Sequence, residues 1–455
     1  MEASVPQLDR FVTRPMDRHR KRRSAKLECL LALGIVLSGA SQFRVAGLPV
    51  GPGEACLMVW AGLRALCAIL RPGPLGRRGG VILCFWAVFA IAQCVGLIKS
   101  LSAGIPIDWV LTLHDVTAYV LMAVISSFCL TGDERDDSLS HVTRYLMTFA
   151  SLSLVLQIAA GWGFAPAPGT GPWYWDRFRG WADNPNQLSM FCAIAVAIAV
   201  YVIETAERRR DRFAASICAS LAFAAGFLTR GNTMRLSLAI GACVFASLLI
   251  RNIASRRGRP ARSSTLGVLL VAASTPLLAL ALVPYASQLS AEDLAQQVSR
   301  DQGETLNEAN LRFTLWAGAS QGALDSFFLG MGPGPHAPVP LDLTLRRVWE
   351  VDSFEESLGA VAKHADVMES HNTYIELFSQ GGLLIVLAFA GLLMCALRGA
   401  LRSRSAALPG MLCVLVVFGI FHVMLRHPIV WLALCLCVGA RSSFVRSVRG
   451  TVRQH

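Results

Sequence analysis

The chain reads as an all-α polytopic membrane protein, with about twelve transmembrane helices and one large, partly helical loop. Three observations predict this. Of 455 residues, 54% are hydrophobic, and the mean hydropathy of +0.50 is more than a soluble interior can hide. Apolar runs of ~20 residues, the length that crosses ~30 Å of hydrocarbon, recur from one end of the chain to the other. Basic segments fall between the runs in a regular order. Backbone groups in lipid must be satisfied within the segment, and these runs are too long and too uniformly apolar for barrel strands, so the spans are helices.

Taken in order, residues 1–26 are a basic tail ending in "RHRKRRSAK". The run behind it is long enough to span, so the first helix is expected to stay as an anchor. Nine spans fill 27–284, at about 27–45, 53–70, 80–98, 109–130, 145–163, 187–205, 213–229, 233–250 and 264–284. Residues 285–371 hold no apolar run and form a long loop. A connection of that length is usually functional. Within it, apolar residues return every three to four positions over 307–327, which predicts a helix. Three more spans follow at 372–397, 409–425 and 428–441, and 442–455 is a second basic tail.

Threading twelve helices puts "RHRKRRSAK", "RPGPLGRR", "ERRRDR", "RNIASRRGRPAR", "RGALRSR" and "RSSFVRSVRGTVR" on one side. By the positive-inside rule that side is the cytoplasm, and both termini lie there. The acidic "TGDERDDSLSHVTR" dissents, but the rule counts Lys and Arg. A metal-bound sugar nucleotide on "DERDD" is the rival reading of that run. The loop is too short to hold a nucleotide domain, and a solvated charge run fits it better. The net charge is +12, yet residues 285–371 carry thirteen acidic and five basic residues, a balance of −8. The basic excess therefore sits in short loops beside helix ends, where it serves topology and anionic headgroups. A nucleic-acid partner is not expected, because no aromatic platform is interleaved with the basic clusters. The thirteen cysteines lie in or beside apolar spans with no CxxC pair, and read as small hydrophobes.

Chemistry belongs on the outer face, where the long loops are. Arg230 precedes Gly231 at a helix junction, Arg312 sits in "NLRFTLW", and His371 opens the tenth span. Each has a plain alternative. Arg230 can snorkel to headgroups, Arg312 can pair with Glu308, and His371 can be an interfacial polar residue. "DNPNQL", with Asn184 and Asn186, reads as turn chemistry that ends at a helix start. "LGMGPGPHAP" is a glycine-proline turn whose amides are free to approach an anion. His114 and Asp115 lie about one turn inside the fourth span. An intramembrane ionisable pair is a functional hypothesis by default, and a structural pair is equally open. No HExxH, HxH, Walker loop or GxSxG is present, so no metal and no cofactor is expected.

"DNPNQLSMF", "LTRGN", "LRFTLWAGA…FFLGMGPG" and "SHNTYIELFSQGGLL" follow one another along the chain. Together they resemble the O-antigen ligase and polymerase family of bacterial inner membranes, over roughly residues 180–395. "HNTYIE" followed by "GGLL" is the most specific part. The resemblance implies a metal-independent membrane glycosyltransferase-like fold with its active site facing the periplasm. It implies a donor glycan on undecaprenyl pyrophosphate. The acceptor is a sugar hydroxyl, on a lipid A core or on another lipid-linked repeat. By motif, the family's arginine between the seventh and eighth helices falls on Arg230, its loop arginine on Arg312 and its essential histidine on His371. Thr229 stands where the family often has Ser.

Physical chemistry agrees with those roles. Pyrophosphate is a good leaving group, so the site must above all neutralise charge. Without a metal that falls to arginine, whose planar fork suits phosphate oxygens. His371, placed after an expected Ser370 cap, sits where the helix dipole disfavours imidazolium, which suits a general base. Asn372 and Glu376, spaced i, i+4, are expected to bond each other and brace the site, or Glu376 to orient the acceptor. Asn184 and Asn186 are supporting candidates. The rival is a transporter or flippase of lipid-linked sugar. It predicts internal repeats and broken helices at the bilayer midplane. No repeat is evident, and the polar cluster lies at the outer edge.

Overall fold

The computed structural model describes residues 26–254, 312–338 and 367–440, apart from short breaks at 45–49, 71–75, 106, 132–134, 167–168, 175 and 404. The described chain is mostly helical. In order the helices are α1 (26–37), α2 (Pro52–Leu70), α3 (Arg77–Ser102), α4 (Trp109–Leu130), α5 (Arg135–Gly161), α6 (Pro185–Thr205), α7 (Arg209–Leu228) and α8 (Asn232–Ala254). Then come α9 (312–325), α10 (Thr373–Arg402), α11 (Ala407–Phe421) and α12 (Pro428–Gly439). Two small antiparallel ribbons complete the set. One pairs β1 (Trp173–Tyr174) with β2 (Arg177–Phe178), and the other pairs β3 (Ala337–Pro338) with β4 (Val367–Met368).

Among the described residues, eight helices are long and apolar enough to cross a membrane: α2 to α8 and α10. This is a multi-pass membrane protein. The expected span 264–284 lies outside the described residues, as do 255–311 and 339–366 of the loop region. The loop helix appears as α9, over 312–325 of the expected 307–327.

Two spans differ from expectation. The first was expected to reach residue 45 but α1 ends at 37, and a 3-10 turn follows at Ser41–Phe43. The reason is packing: the backbone at Ser38 lies against Gly53 of α2, where an added Cβ would meet Ser38 N at 2.1 Å. The eleventh was expected to run to 425 but α11 ends at Phe421, leaving 422–427 as a turn before α12. At 15 and 12 residues, α11 and α12 rise only about 22 and 18 Å, less than their longer neighbours.

The starts of the helices obey local rules. Asp108 caps α4 by accepting from the amides of Val110 (2.9 Å) and Leu111 (3.1 Å). Pro185 and Pro428 occupy the first turns of α6 and α12, where a missing N–H costs nothing. α6 is the central post and packs against α7, α11, α5, α8 and α12. Its alanine-rich stretch 192–199 meets a stripe of small residues on α7 (Ala215, Ala219, Ala222, Gly226), which lets the backbones approach. α10 lies between α3, α12 and α11, and α2 stands at the edge against α4. An aromatic block fills the junction of α3, α4, α10 and α12, with Trp86 and Trp431 4.5 Å apart. All thirteen cysteines are unpaired.

Candidate functional site

At the end of the bundle where α2, α4, α6 and α10 begin, a cavity of about 700 Å³ opens. Its lining is of two kinds. Leu57, Met58, Leu121, Met122 and Met190, a turn or more into α2, α4 and α6, are apolar. The rest of the wall carries Arg44, Arg177, Arg426, four histidines (His114, His371, His422, His427), Glu369, Asn184 and Asn186.

The start of α10 builds the centre of this wall. Asn372 is the N-cap, accepting from the amides of Tyr374 (2.9 Å) and Ile375 (3.1 Å). Ser370, the expected cap, instead points its hydroxyl at the carbonyl of Asn372 (3.0 Å). Glu376 reaches back to accept from the amide of Ser370 at 2.8 Å. The expected side-chain bond between Asn372 and Glu376 is therefore not made: the free amides of the first turn claim Asn372, and Ser370 and Gln380 claim Glu376. His371 is held between these anchors with φ +52°, a left-handed conformation for a non-glycine residue. Such a conformation costs about 1–3 kcal/mol and persists only where the surroundings fix it.

Behind His371 lies a buried polar network. Gln380 on α10 donates to Glu376 Oε1 (3.0 Å), Asp115 Oδ2 (3.2 Å) and the carbonyl of Gly334 (3.1 Å). Its carbonyl oxygen accepts from Gln93 (3.0 Å) and Tyr119 (2.9 Å). Asp115 also binds Arg426, and Arg426 binds Glu369, two residues before His371. Burial works against the Arg426 charge, but the carboxylates of Glu369 and Asp115 outweigh it and raise its pKa above the usual value. The His114–Asp115 pair stays in contact, Nδ1 to Oδ1 at 3.5 Å: Asp115 belongs to the network and His114 lines the cavity.

α10 breaks at Gly381 and Gly382, where φ/ψ leave the helical region (−132°/16° and 64°/−157°). The chain after α9 docks there. The amides of Met331 and Gly332 donate to the carbonyls of Ser379 (2.8 Å) and Gln380 (2.7 Å), and the amide of Leu383 donates to the carbonyl of Phe328 (2.9 Å). Gly330 and Gly332 of "LGMGPG" are needed because a Cβ there would strike Gln380 and Leu97 backbone at 2.6 and 2.8 Å. The anion-approach reading of these glycines is corrected: their backbone is packed against α10 and α3. Two sequence motifs, "LGMGPG" and "SQGGLL", are one joint.

The candidates of the other loops separate into two groups. Asn184 lines the cavity and caps α6 through the amide of Gln187 (2.9 Å), as turn chemistry predicts. Asn186 lines it too, and accepts from Arg177 (2.9 Å). Arg230 is not among the lining residues. It stands beside the cavity in the α7–α8 turn, with φ +54°, and pairs with Asp176. Arg312 opens α9 and is also outside the lining set, but its charge reaches the site. Burial first, then the nearby cationic groups, led by Arg312 and including Arg177, push the His422 imidazole down to about 3. His427 is likewise held at about 3 by burial and by Arg426 and Arg44. Both rings are neutral at pH 7.

Arg44, Arg177, Arg426, His422, His427 and Glu369 line the cavity without having been singled out as site residues from the sequence. The signal was present for some: "FHVMLRHP" sets three ionisable residues between two apolar runs. No group of three or more His, Cys, Asp or Glu with metal-holding geometry occurs among the described residues.

No curated protein matches the chain. Residues 217–390 match a family model, and the matched stretch runs from α7 through α8 and α9 into α10. It includes Arg230, Arg312, His371, Asn372 and Glu376, while Asn184 and Asn186 fall before it. The family resembled by the motifs is the one the model matches: residues 217–390 of this multi-pass helical membrane protein are similar to the O-antigen ligases, which supports a role in membrane glycan processing.

Proposed function

We propose that the protein transfers a glycan from undecaprenyl pyrophosphate to a sugar hydroxyl at the periplasmic face of a bacterial inner membrane. The observation that carries the reading is the mixed lining of the cavity. A lipid-linked diphosphate needs apolar surface for its chain and cationic groups for its head, and the cavity lined by His371 offers both. A transporter would share the break in α10, but it is less favoured, since the charged residues that line the cavity gather where the helices begin.

In the proposed reaction the acceptor hydroxyl gives its proton to a ring nitrogen of His371. Its oxygen forms a bond to the anomeric carbon of the donor sugar. The bond from that carbon to the pyrophosphate oxygen breaks, and its electron pair leaves with undecaprenyl pyrophosphate. Arg230 and Arg312 neutralise the leaving group, with no metal and no cofactor. Asp176 now holds the Arg230 guanidinium much as a phosphate oxygen would. Asn372 and Glu376 fix the His371 turn, and Asn184 and Asn186 support the wall at the start of α6.

The test is turnover of purified enzyme with a lipid-linked glycan. A positioned base contributes ~10²–10⁴-fold, so His371→Ala should lose about that much. His371→Gln should do no better, because an amide accepts no proton at useful pH. Activity should fall as pH drops through the imidazole pKa. A rate that falls instead on the alkaline side, or a Gln variant with near-normal turnover, refutes the assignment. The glycans of a deletion strain assign the acceptor. Loss of all long chains from lipid A with lipid-linked polymer accumulating marks a ligase, and single-repeat chains mark a polymerase.

A further inference from the structure

Three arginines line the cavity, and they differ in what balances their charge. Arg44 pairs with Glu54 at 3.0 Å and lies 3.9 Å from Asp183. Arg426 is clamped between Asp115 and Glu369. Arg177 has no carboxylate partner among the described residues. Its Nε donates to the carbonyl of Thr229 (3.0 Å) and its Nη2 to Asn186 Oδ1 (2.9 Å). Both acceptors are neutral, so the fork is fixed in place while its charge stays uncompensated. Its Nη1 makes no hydrogen bond among the described residues. The imidazole of His422, which senses this charge after those of Arg312 and His371, is neutral and does not balance it.

The position is as telling as the charge. Arg177 lies on β2, one residue from Asp176, the partner of Arg230. Through the Thr229 carbonyl it grips the turn that carries Arg230. Through Asn186 it grips the first turn of α6. A guanidinium held on three sides by the fold loses little freedom when an anion arrives, and bidentate geometry favours phosphate.

We propose that Arg177 is a third donor-binding arginine, whose free edge takes a phosphate oxygen of the lipid-linked diphosphate from within the cavity. This rests on the reading that the cavity holds that donor. Arg177 and Arg230 then face the diphosphate from neighbouring positions on β2 and the α7–α8 turn. The competing account makes Arg177 only a staple between β2, the α7–α8 turn and α6.

The experiment uses the full-length protein in lipid nanodiscs, with undecaprenyl pyrophosphate as probe and undecaprenol as the uncharged control. Binding of both, and the melting temperature, are measured for the wild type, Arg177→Gln and Arg177→Lys. The wild type should prefer the diphosphate. Arg177→Gln should weaken diphosphate binding about ten- to a hundredfold, as expected for one charge-assisted hydrogen bond, leave undecaprenol binding unchanged, and lower the melting temperature only by the few degrees that two lost hydrogen bonds imply. Arg177→Lys should recover part of the loss. Undiminished diphosphate binding by Arg177→Gln overturns the assignment. So does an equal loss for both probes with a lowered melting temperature, or a Lys variant no better than Gln. A wild type with no preference for the diphosphate over undecaprenol sinks the donor reading itself, and this inference with it.

Discussion

Gly382→Ala tests the joint that holds the site together. Gly382 sits at φ 64°, ψ −157°, a region essentially reserved for glycine, and forcing alanine into it costs about 1–3 kcal/mol. Space is lacking as well: the new Cβ would lie 1.8 Å from the carbonyl oxygen of Phe328 and 2.7 Å from the carbonyl carbon of Leu329. Both are backbone atoms, so the docked chain must withdraw. That breaks the Leu383-to-Phe328 bond and strands a buried donor and acceptor, for about another 1–3 kcal/mol. The total, about 2–6 kcal/mol, is a large share of the stability of an ordinary domain. Withdrawal also takes the Gly334 carbonyl from Gln380, loosening Asp115 and Glu376 behind His371. Gly391→Ala is the matched control. It lies in the same helix, is exposed, has no atom within 4 Å of the added Cβ, and should gain slightly from helix propensity. Melting temperature and turnover are measured in one detergent. Gly382→Ala should lose both and Gly391→Ala neither. If Gly382→Ala melts and turns over with the wild type, the joint does not support the site.

Other outcomes are equally specific. Arg230→Ala and Arg312→Ala should each lose most turnover, about 1.5–3 kcal/mol per charge-assisted contact, and the Lys variants should keep part. Full activity of either Ala variant at normal protein level removes that residue from the site. Turnover should survive chelation, and inactivation by EDTA with rescue by magnesium or manganese would reveal a required metal. His422 and His427 are neutral when folded, with values near 3, and gain protons near pH 6.5 when unfolded. Their contribution is therefore full above about pH 6.5 and lost as pH falls toward 3, by up to about 2 kcal/mol each at pH 5. The melting temperature should fall between pH 7.5 and pH 5, and by less in a His422→Asn, His427→Gln double variant. An equal fall in both would remove these rings as its source.

The spans were legible because hydrocarbon imposes length and composition on each segment alone. α2, α4 and α6 begin within two residues of their expected starts. Asn184, Asn186 and His371 were legible as cavity residues because turn and cap chemistry is local. The break in α10 was not, since two glycines in an apolar run read as tolerated helix until the chain from α9 is seen to dock on them. Arg177 escaped notice because what marks it comes from Thr229, 52 positions away. His422 was read as part of a span, and Arg426 as a short link behind it, because the shortness of α11 is set by tertiary packing. The Asn372–Glu376 bond failed for a simpler reason: correct i, i+4 spacing does not say which of several partners wins.

The β3–β4 ribbon has a consequence for how such a protein can change. Ala337 faces Met368 across the pair, so the chain leaves and returns at one strand spacing, about 5 Å. Whatever sequence lies between Pro338 and Val367, its ends are fixed next to the turn that carries His371. Closing a longer insert costs little, about 0.6 kcal/mol for each doubling. That stretch can therefore be lengthened, shortened or rewritten while the residues that line the cavity keep their places. One insert can change and leave the cavity as it is.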